Sequence, residues 1–394
     1  MNDGFYIEVA CEQRNFGDER ICGDVFISRK VKEEDRTIVV LSDGMGHGVK
    51  ANVLATLTAT LAINFTMEHK AVEKTAEIIM NTLPVCSERH MSYSTFTVVD
   101  IEHHGMTTIL EYDNPGAIIL RSNKPFDPGW TRVVLTSEKN AGKEIRSCRF
   151  QPRKEDRILF CTDGISQSGL GSDQFPLGWG GSRIEEYAVK LIGDNPHISA
   201  SVLALKMVNM AHRNDEFQSK DDTSFATIYF RDPRKLLIVT GPPYERSEDP
   251  TLGKVVRDFK GLKVVCGATT ADIISRELGL EIEDSLAFED PELPPVSSME
   301  GIDLVTEGIL TLTKVTRILK ELNQTTTLGK GPADRIVKLL RQSDQINFII
   351  GTRVNIAHQD PSLPVDLEMR RTVVNRMARI LEEKFLKEVS IRYI

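Results

Sequence analysis

Apolar residues fall in two different rhythms along this chain. Up to about residue 231, short runs rich in Ile, Val and Phe are closely spaced, at residues 5–10, 24–28, 37–42, 93–101, 107–112, 117–121, 131–135, 157–162 and 224–230. Their length and β-branched content predict strands. Helical periodicity is predicted at residues 49–67 and 71–83, and again at 183–191 and 198–212. The glycine-rich stretch 169–181 reads as an exposed flap. Strands in runs, with helix pairs set between them, predict an α+β fold of αββα type: two antiparallel sheets flanked by helices.

The rhythm changes at Arg231-Asp232-Pro233-Arg234. Beyond it strand and helix alternate. Strands are predicted at 235–240, 262–266, 302–306, 345–350 and 388–393, and helices at 252–259, 270–278, 310–322, 333–342 and 366–385, with a proline-rich acidic connector at 289–295. This alternation predicts a three-layer α/β domain. The expected domains are therefore 1–232 and 233–394, with no internal repeat between them.

Composition narrows the function classes. Lys and Arg total 49 against 57 Asp and Glu, a net charge of −8. That balance argues against a nucleic-acid partner held by bulk charge. The six cysteines form no Cys-x-x-Cys pair, so a structural zinc site is not expected. Residues 1–19 lack the basic and apolar regions of a signal peptide, and 49–65 is too polar to cross a bilayer. A cytoplasmic protein with reduced thiols and no membrane partner is the expectation.

Candidate chemistry gathers on aspartates. Four segments stand out, Gly23-Asp24, Ser42-Asp43-Gly44-Met45-Gly46-His47-Gly48, Thr162-Asp163-Gly164-Ile165 and Lys220-Asp221-Asp222-Thr223-Ser224, and the last three lie at the edges of predicted strands. Carboxylates delivered to one end of a sheet sandwich can hold hard divalent cations such as Mg²⁺ or Mn²⁺. A glycine beside an aspartate lets the backbone approach and offer a carbonyl. A single Asp-Gly is more often only a turn, so the combination and its order carry the signal.

That order, Gly-Asp, then Asp-Gly-Met-Gly-His-Gly before a long helix, then Phe-Cys-Thr-Asp-Gly-Ile, then Asp-Asp-Thr-Ser-x-Ala, resembles the metal-dependent protein phosphatases (PPM class) over residues 5–231. It is most similar to their bacterial branch typified by the phosphatase domain of stage II sporulation protein E. Ser92-Tyr93-Ser94-Thr95-Phe96 and Asp113-Asn114-Pro115 are similar to that branch as well. The resemblance implies a serine/threonine protein phosphatase with two Mn²⁺ or Mg²⁺ ions. Asp43 would bridge both; the Gly44 carbonyl and Asp24 would serve one, Asp163 and Asp221 the other, with Asp222 open as an alternative to Asp221. It implies attack by a metal-bridging hydroxide on a phosphorylated protein, of the anti-anti-sigma type, with no phosphoenzyme. No arginine matches the phosphate-binding position of the animal members. His47 is a candidate general acid or phosphate contact, or a filler of the turn. A homodimer is a further expectation. The alternatives are a catalytically weak binding module on the same fold and a hydrolase of small phosphate esters.

In the second domain, Val264–Asp272 (VVCGATTAD) and Ile302–Gly308 (IDLVTEG) are strands running into turns, and GTRVNIAHQD follows a third strand at 351–360. Such turns at strand ends are where α/β sheets bind ligands. Cys266, Thr269, Thr270, Glu307 and His358 are the candidate contacts for a small molecule or anion, and the domain reads as regulatory. The competing reading is that Gly and Thr serve turn geometry and capping alone. Neither Gly-x-Gly-x-x-Gly nor a phosphate loop is present.

Overall fold

The computed structural model describes residues 5–68, 72–82, 94–102, 105–138, 140–285, 287–322, 327–353, 366–385 and 387–394. The chain divides into two compact units, Met1–Asp232 and Pro233–Ile394. Ser92, Tyr93 and His358 lie outside the described residues.

The first unit runs β1 (Tyr6–Arg14), β2 (Val25–Val31), β3 (Arg36–Gly44), α1 (Gly48–Met67), α2 (Val72–Thr82), β4 (Ser94–Ile101), β5 (Thr107–Tyr112), β6 (Ile118–Arg121), β7 (Lys124–Pro125), β8 (Thr131–Val134), β9 (Glu144–Phe150), β10 (Arg157–Cys161), α3 (Asp163–Ser166), α4 (Gly181–Asp194), α5 (Ala200–Asn214) and β11 (Thr223–Arg231). These strands form a five-stranded sheet, β1-β11-β10-β6-β7, and a six-stranded sheet, β2-β3-β4-β5-β9-β8. Every pairing in both is antiparallel.

The continuous apolar run of β3 follows from its place in this sandwich. Successive side chains of a strand point to opposite faces. Val39 and Leu41 pack with Phe160, Ile228 and Phe230 of the other sheet. Ile38 and Val40 face Ala59, Ala62, Ile79 and Met80 of α1 and α2. On the far side, Leu159, Cys161 and Phe225 pack with Ile184, Leu203 and Met207 of α4 and α5. Both faces of each central strand are therefore buried, and the unit is the four-layer sandwich expected. The buried face of α1 carries Ala51, Ala55, Ala59 and Ala62, small residues that let the helix lie close to its sheet.

Three local expectations change. Strand β9 was not legible because its Arg146 and Arg149 face outward and break the apolar run, while Ile145, Cys148 and Phe150 point into the core. Asp163 opens a short helix instead of closing a strand. The stretch 169–181 is not an exposed flap throughout: Phe175 and Trp179 are buried in the core of α4 and α5.

The second unit runs β12 (Lys235–Thr240), α6 (Asp249–Asp258), β13 (Leu262–Cys266), α7 (Ala268–Leu278), β14 (Ile282–Asp284), β15 (Ser297–Met299), β16 (Ile302–Thr306), α8 (Ile309–Glu321), α9 (Pro332–Gln342), β17 (Gln345–Ile350), α10 (Asp366–Phe385) and β18 (Glu388–Tyr393). One seven-stranded sheet results, in the order β14-β15-β16-β13-β12-β17-β18. From β16 to β18 the strands are parallel. The short β14 and β15, too brief to register as strands in the sequence, add an antiparallel edge. Leu236, Ile238 and Val264 face the side of α8, α9 and α10. Leu237, Val239 and Val265 face α6 and α7. This is a three-layer α/β unit whose strand order reverses between β12 and β17.

Candidate active site

The end of β3 is held in place from two directions. In the β3–β4 ladder Asp43 stands opposite Thr95. The Thr95 hydroxyl donates to Asn114 Oδ1. The Asn114 amide in turn donates to the Leu41 carbonyl at 3.4 Å and to Thr97 Oγ1 at 3.0 Å. Asn114 thus ties β3 to β4 just ahead of Asp43. From the other side, α1 presses on Gly44: a Cβ there would lie 2.0 Å from the Ala51 carbonyl oxygen. The turn between them needs φ of 93° at Gly46 and 70° at Gly48, conformations that glycine adopts without penalty.

Asp24 joins the two sheets. It precedes β2 of one sheet, and its Oδ2 accepts from Thr162 Oγ1 at 2.8 Å and Ser224 Oγ at 2.6 Å on the other. Gln13 Nε2 donates to the same Ser224 hydroxyl at 2.9 Å. Asp24 Oδ1 is buried and has no hydrogen-bond partner. Asp163 begins α3, where its Oδ2 accepts from Gln167 Nε2 at 2.8 Å. Asp221 immediately precedes β11.

Asp221 and Asp222 stand in different surroundings, and Asp222 Oδ2, like Asp24 Oδ1, is buried without a hydrogen-bond partner. Asp222 is 2% exposed, and its Oδ1 accepts from the Phe16 amide at 2.9 Å. Its Oδ2 presses on Gly23, where a Cβ would lie only 2.6 Å away. Asp221 is more open, and the charges that act on it are those of Asp163, Asp222 and His47.

The four aspartates lie close enough to act on one another's charge. Burial first, then the charges of Asp24 and Asp163, pushes the Asp43 carboxyl up to about 10, with a hydrogen bond to Asp163 and the Asp221 charge adding to it. Burial, opposed by its two hydroxyl donors and reinforced by Asp222 and Asp221, raises Asp24 to about 7. Burial and Asp163 lift Asp221 to about 6. Among the described residues, no Lys or Arg forms an ion pair with any of the four.

As they stand, no three His, Cys, Asp or Glu side chains among the described residues converge on one point as the ligands of a single ion would. The donor set still fits hard divalent cations. Every donor is oxygen, burial and mutual repulsion oppose the charge that a cation would offset, and Asp24 keeps a buried oxygen without a partner.

His47 stands at the N-cap position of α1, and its side chain makes no capping hydrogen bond. Its ring is 53% exposed, with Nδ1 3.2 Å from Glu19 Oε1. The ring also packs on Phe16 with centroids 4.5 Å apart. Sequence reasoning did not anticipate Glu19, Gln13, Thr162 or Ser224. Only the last two carried a signal, as hydroxyl residues beside or near a candidate aspartate.

The candidates of the second unit are placed differently. Cys266 is fully buried in the core, and Thr270, also buried, accepts the Gly241 amide at 2.9 Å. Neither side chain presents itself to a ligand, because packing and a turn already use them. Glu307 Oε2 accepts the Thr311 amide at 3.1 Å at the start of α8. Thr269 is exposed.

The family described as Stage II sporulation protein E (SpoIIE) matches residues 33–231, half of the chain. The chain belongs to that family. It is accordingly a phosphatase of the PP2C type, the class of the protein serine/threonine phosphatases. No curated protein matches the sequence. Among solved structures, the SpoIIE phosphatase domain from Bacillus subtilis, in a crystal form without domain swapping, is 14% identical, over 58% of this chain and 94% of that one, with a TM-score of 0.44. The RsbU and RsbW domains of a Mycobacterium tuberculosis protein match at 17% identity over 64% and 69%, with a TM-score of 0.44. The serine/threonine phosphatase PstP/Ppp of the same organism matches at 13% identity over 57% and 99%, with a TM-score of 0.39. No helix among the described residues is long and apolar enough to cross a membrane.

Proposed function

We propose that the first unit removes phosphate from phosphoserine and phosphothreonine in a protein substrate of the anti-anti-sigma type, in bacterial cytoplasmic signalling, and that the second unit regulates it. The supporting observation is the mutual charge of Asp24, Asp43, Asp163 and Asp221, brought from four separate segments without a Lys or Arg counterion among the described residues. Asp43 would serve both of two Mn²⁺ or Mg²⁺ ions, the Gly44 carbonyl and Asp24 one of them, and Asp163 and Asp221 the other. Such ions would supply neutralisation of phosphate charge and a more acidic water.

The protein's own groups do the positioning. Thr162 and Ser224 hold one oxygen of Asp24 and leave the other free. Asn114 fixes the strand end that carries Asp43. Gln167 orients Asp163. His47, oriented by Glu19, can deliver a proton to the departing serine or threonine oxygen. In the second unit, Thr269 and Glu307 remain the candidate contacts for a regulatory small molecule or anion at the strand ends.

The test is Mn²⁺-dependent phosphate release from a phosphoserine protein, with Asp43→Ala beside the wild type. Activity that depends on the ion and disappears in the variant is expected. Activity that survives both chelation and Asp43→Ala would overturn the reading.

A further inference from the structure

The seven-stranded sheet of the second unit has two edges, β14 and β18. Strand β14 is three residues long and ends in Glu283-Asp284, so two copies of it would meet as like charges. Strand β18 is different. It runs Glu388-Val389-Ser390-Ile391-Arg392-Tyr393, without proline or glycine, and carries one charge of each sign, four residues apart.

Its inner side is fixed by β17. The Glu388 amide donates to the Asp344 carbonyl and the Ile394 amide to the Ile350 carbonyl, each at 3.0 Å. By the alternation of a parallel ladder, Ser390 and Arg392 bond inward as well. The N–H and C=O groups of Val389, Ile391 and Tyr393 therefore point to the open edge, and among the described residues β18 pairs with β17 alone. The side chains alternate across the sheet. Val389 and Ile391 are half-buried against the core of α8, α9 and α10. Glu388, Ser390 and Arg392 stand on the other face. There Gln345 Nε2 donates to Glu388 Oε2 at 2.9 Å, and Ser390 Oγ to Asn347 Oδ1 at 2.7 Å. An edge whose main-chain groups point outward is a template for one more strand.

We propose that β18 pairs antiparallel with β18 of a second copy of this chain, so that one sheet runs through both. A twofold axis through the Ser390 pair sets Glu388 opposite the second copy's Arg392, and Val389 opposite its Ile391, each twice. An axis through Ile391 would instead set Ser390 opposite Arg392 and Val389 opposite Tyr393, leaving the charges unmatched. Charge complementarity thus selects both the occupant and the register. Affinity comes from the main-chain hydrogen bonds and from Val389 and Ile391, which carry the core across the axis. The exposed ion pairs set register more than strength. Such a contact is isologous and closes at two copies. It does not depend on the phosphatase reading.

The test is sedimentation velocity of the full chain over a concentration series. A concentration-dependent dimer is expected. Glu388→Arg alone and Arg392→Glu alone each set like charges opposite one another twice, and each should weaken the dimer about tenfold or more. Combining the two restores opposite charges, and the double variant should return to within about threefold of the wild type. That recovery separates a lost contact from a misfolded variant. The register is read by cysteine. Facing residues of a non-hydrogen-bonded pair have Cα atoms about 4.5 Å apart, within reach of a disulfide. Ser390→Cys should therefore give a disulfide-linked dimer in oxidised glutathione, and the wild type should not. A monomer at every concentration, a dimer unmoved by both single reversals, or a double variant no better than the singles would overturn the proposal. Linkage through Ile391→Cys but not through Ser390→Cys would overturn it as well.

Discussion

At their strand ends the two units use polar residues in opposite ways. In the first, Asp24, Asp43, Asp163 and Asp221 crowd like charges together, and Asp24 Oδ1 is buried without a partner. In the second, the residues at the corresponding strand-to-helix turns are engaged locally. Cys266 fills the core, Thr270 accepts the Gly241 amide, and Glu307 caps α8. Polar groups with satisfied partners stabilise a turn. Polar groups held together against their own repulsion cost stability and therefore indicate a site that something else completes.

The largest effect that can break this contrast is on turnover. Asp43→Ala should lower kcat on a phosphoserine protein on the order of a thousandfold, as loss of a charge-stabilising group does. Glu307→Gln should leave kcat within about twofold. Equal losses from the two would erase the distinction. Next comes Gly44→Ala. The added Cβ would stand 2.0 Å from the Ala51 carbonyl oxygen, so strand and helix must part, at a cost of about 3 kcal/mol or more in urea unfolding.

Glu111 is a buried carboxyl outside the aspartate group. It accepts the Ala117 amide at 2.6 Å and lies 3.3 Å from Arg146, yet burial outweighs both and raises it from 4.5 to about 7. The folded state therefore holds a proton that the unfolded chain has lost, so this group's contribution to stability falls as pH rises from about 4.5 to 7 and is constant above that. Glu111→Gln should remove that slope, a difference on the order of 3 kcal/mol between the two ends of the window. Urea unfolding of both proteins across that range checks it, and parallel pH profiles would contradict it. The smallest effect is expected from Thr270→Val. It leaves the Gly241 amide without its acceptor and should cost about 1–2 kcal/mol, with phosphatase activity unchanged.

Much of the first unit was legible because its strands are apolar on both faces, and because a glycine-dense turn follows Asp43 directly. What stayed hidden depends on contacts between distant segments. The hydroxyls of Thr162 and Ser224 become ligands of Asp24 only once β10 and β11 lie beside it. Asp221 and Asp222 look alike in sequence and differ in the fold, where Asp222 lies buried against Gly23 and the Phe16 amide. The loop after α3 looked exposed because glycine and proline dominate its pattern. Its two aromatic residues instead fold inward and line a cavity. In the second unit the three-layer order was visible in the strand-helix alternation. Strand residues such as Cys266 could not be sorted into core or ligand contact without knowing which face they take.

Together the four aspartates should hold two divalent cations. Mn²⁺ titrated calorimetrically into chelator-stripped protein, with Asp43→Ala alongside, should give about two equivalents bound by the wild type and loss of both in the variant, since Asp43 would serve both ions. Wild-type protein that takes up no Mn²⁺, or a variant that binds it as the wild type does, would contradict it.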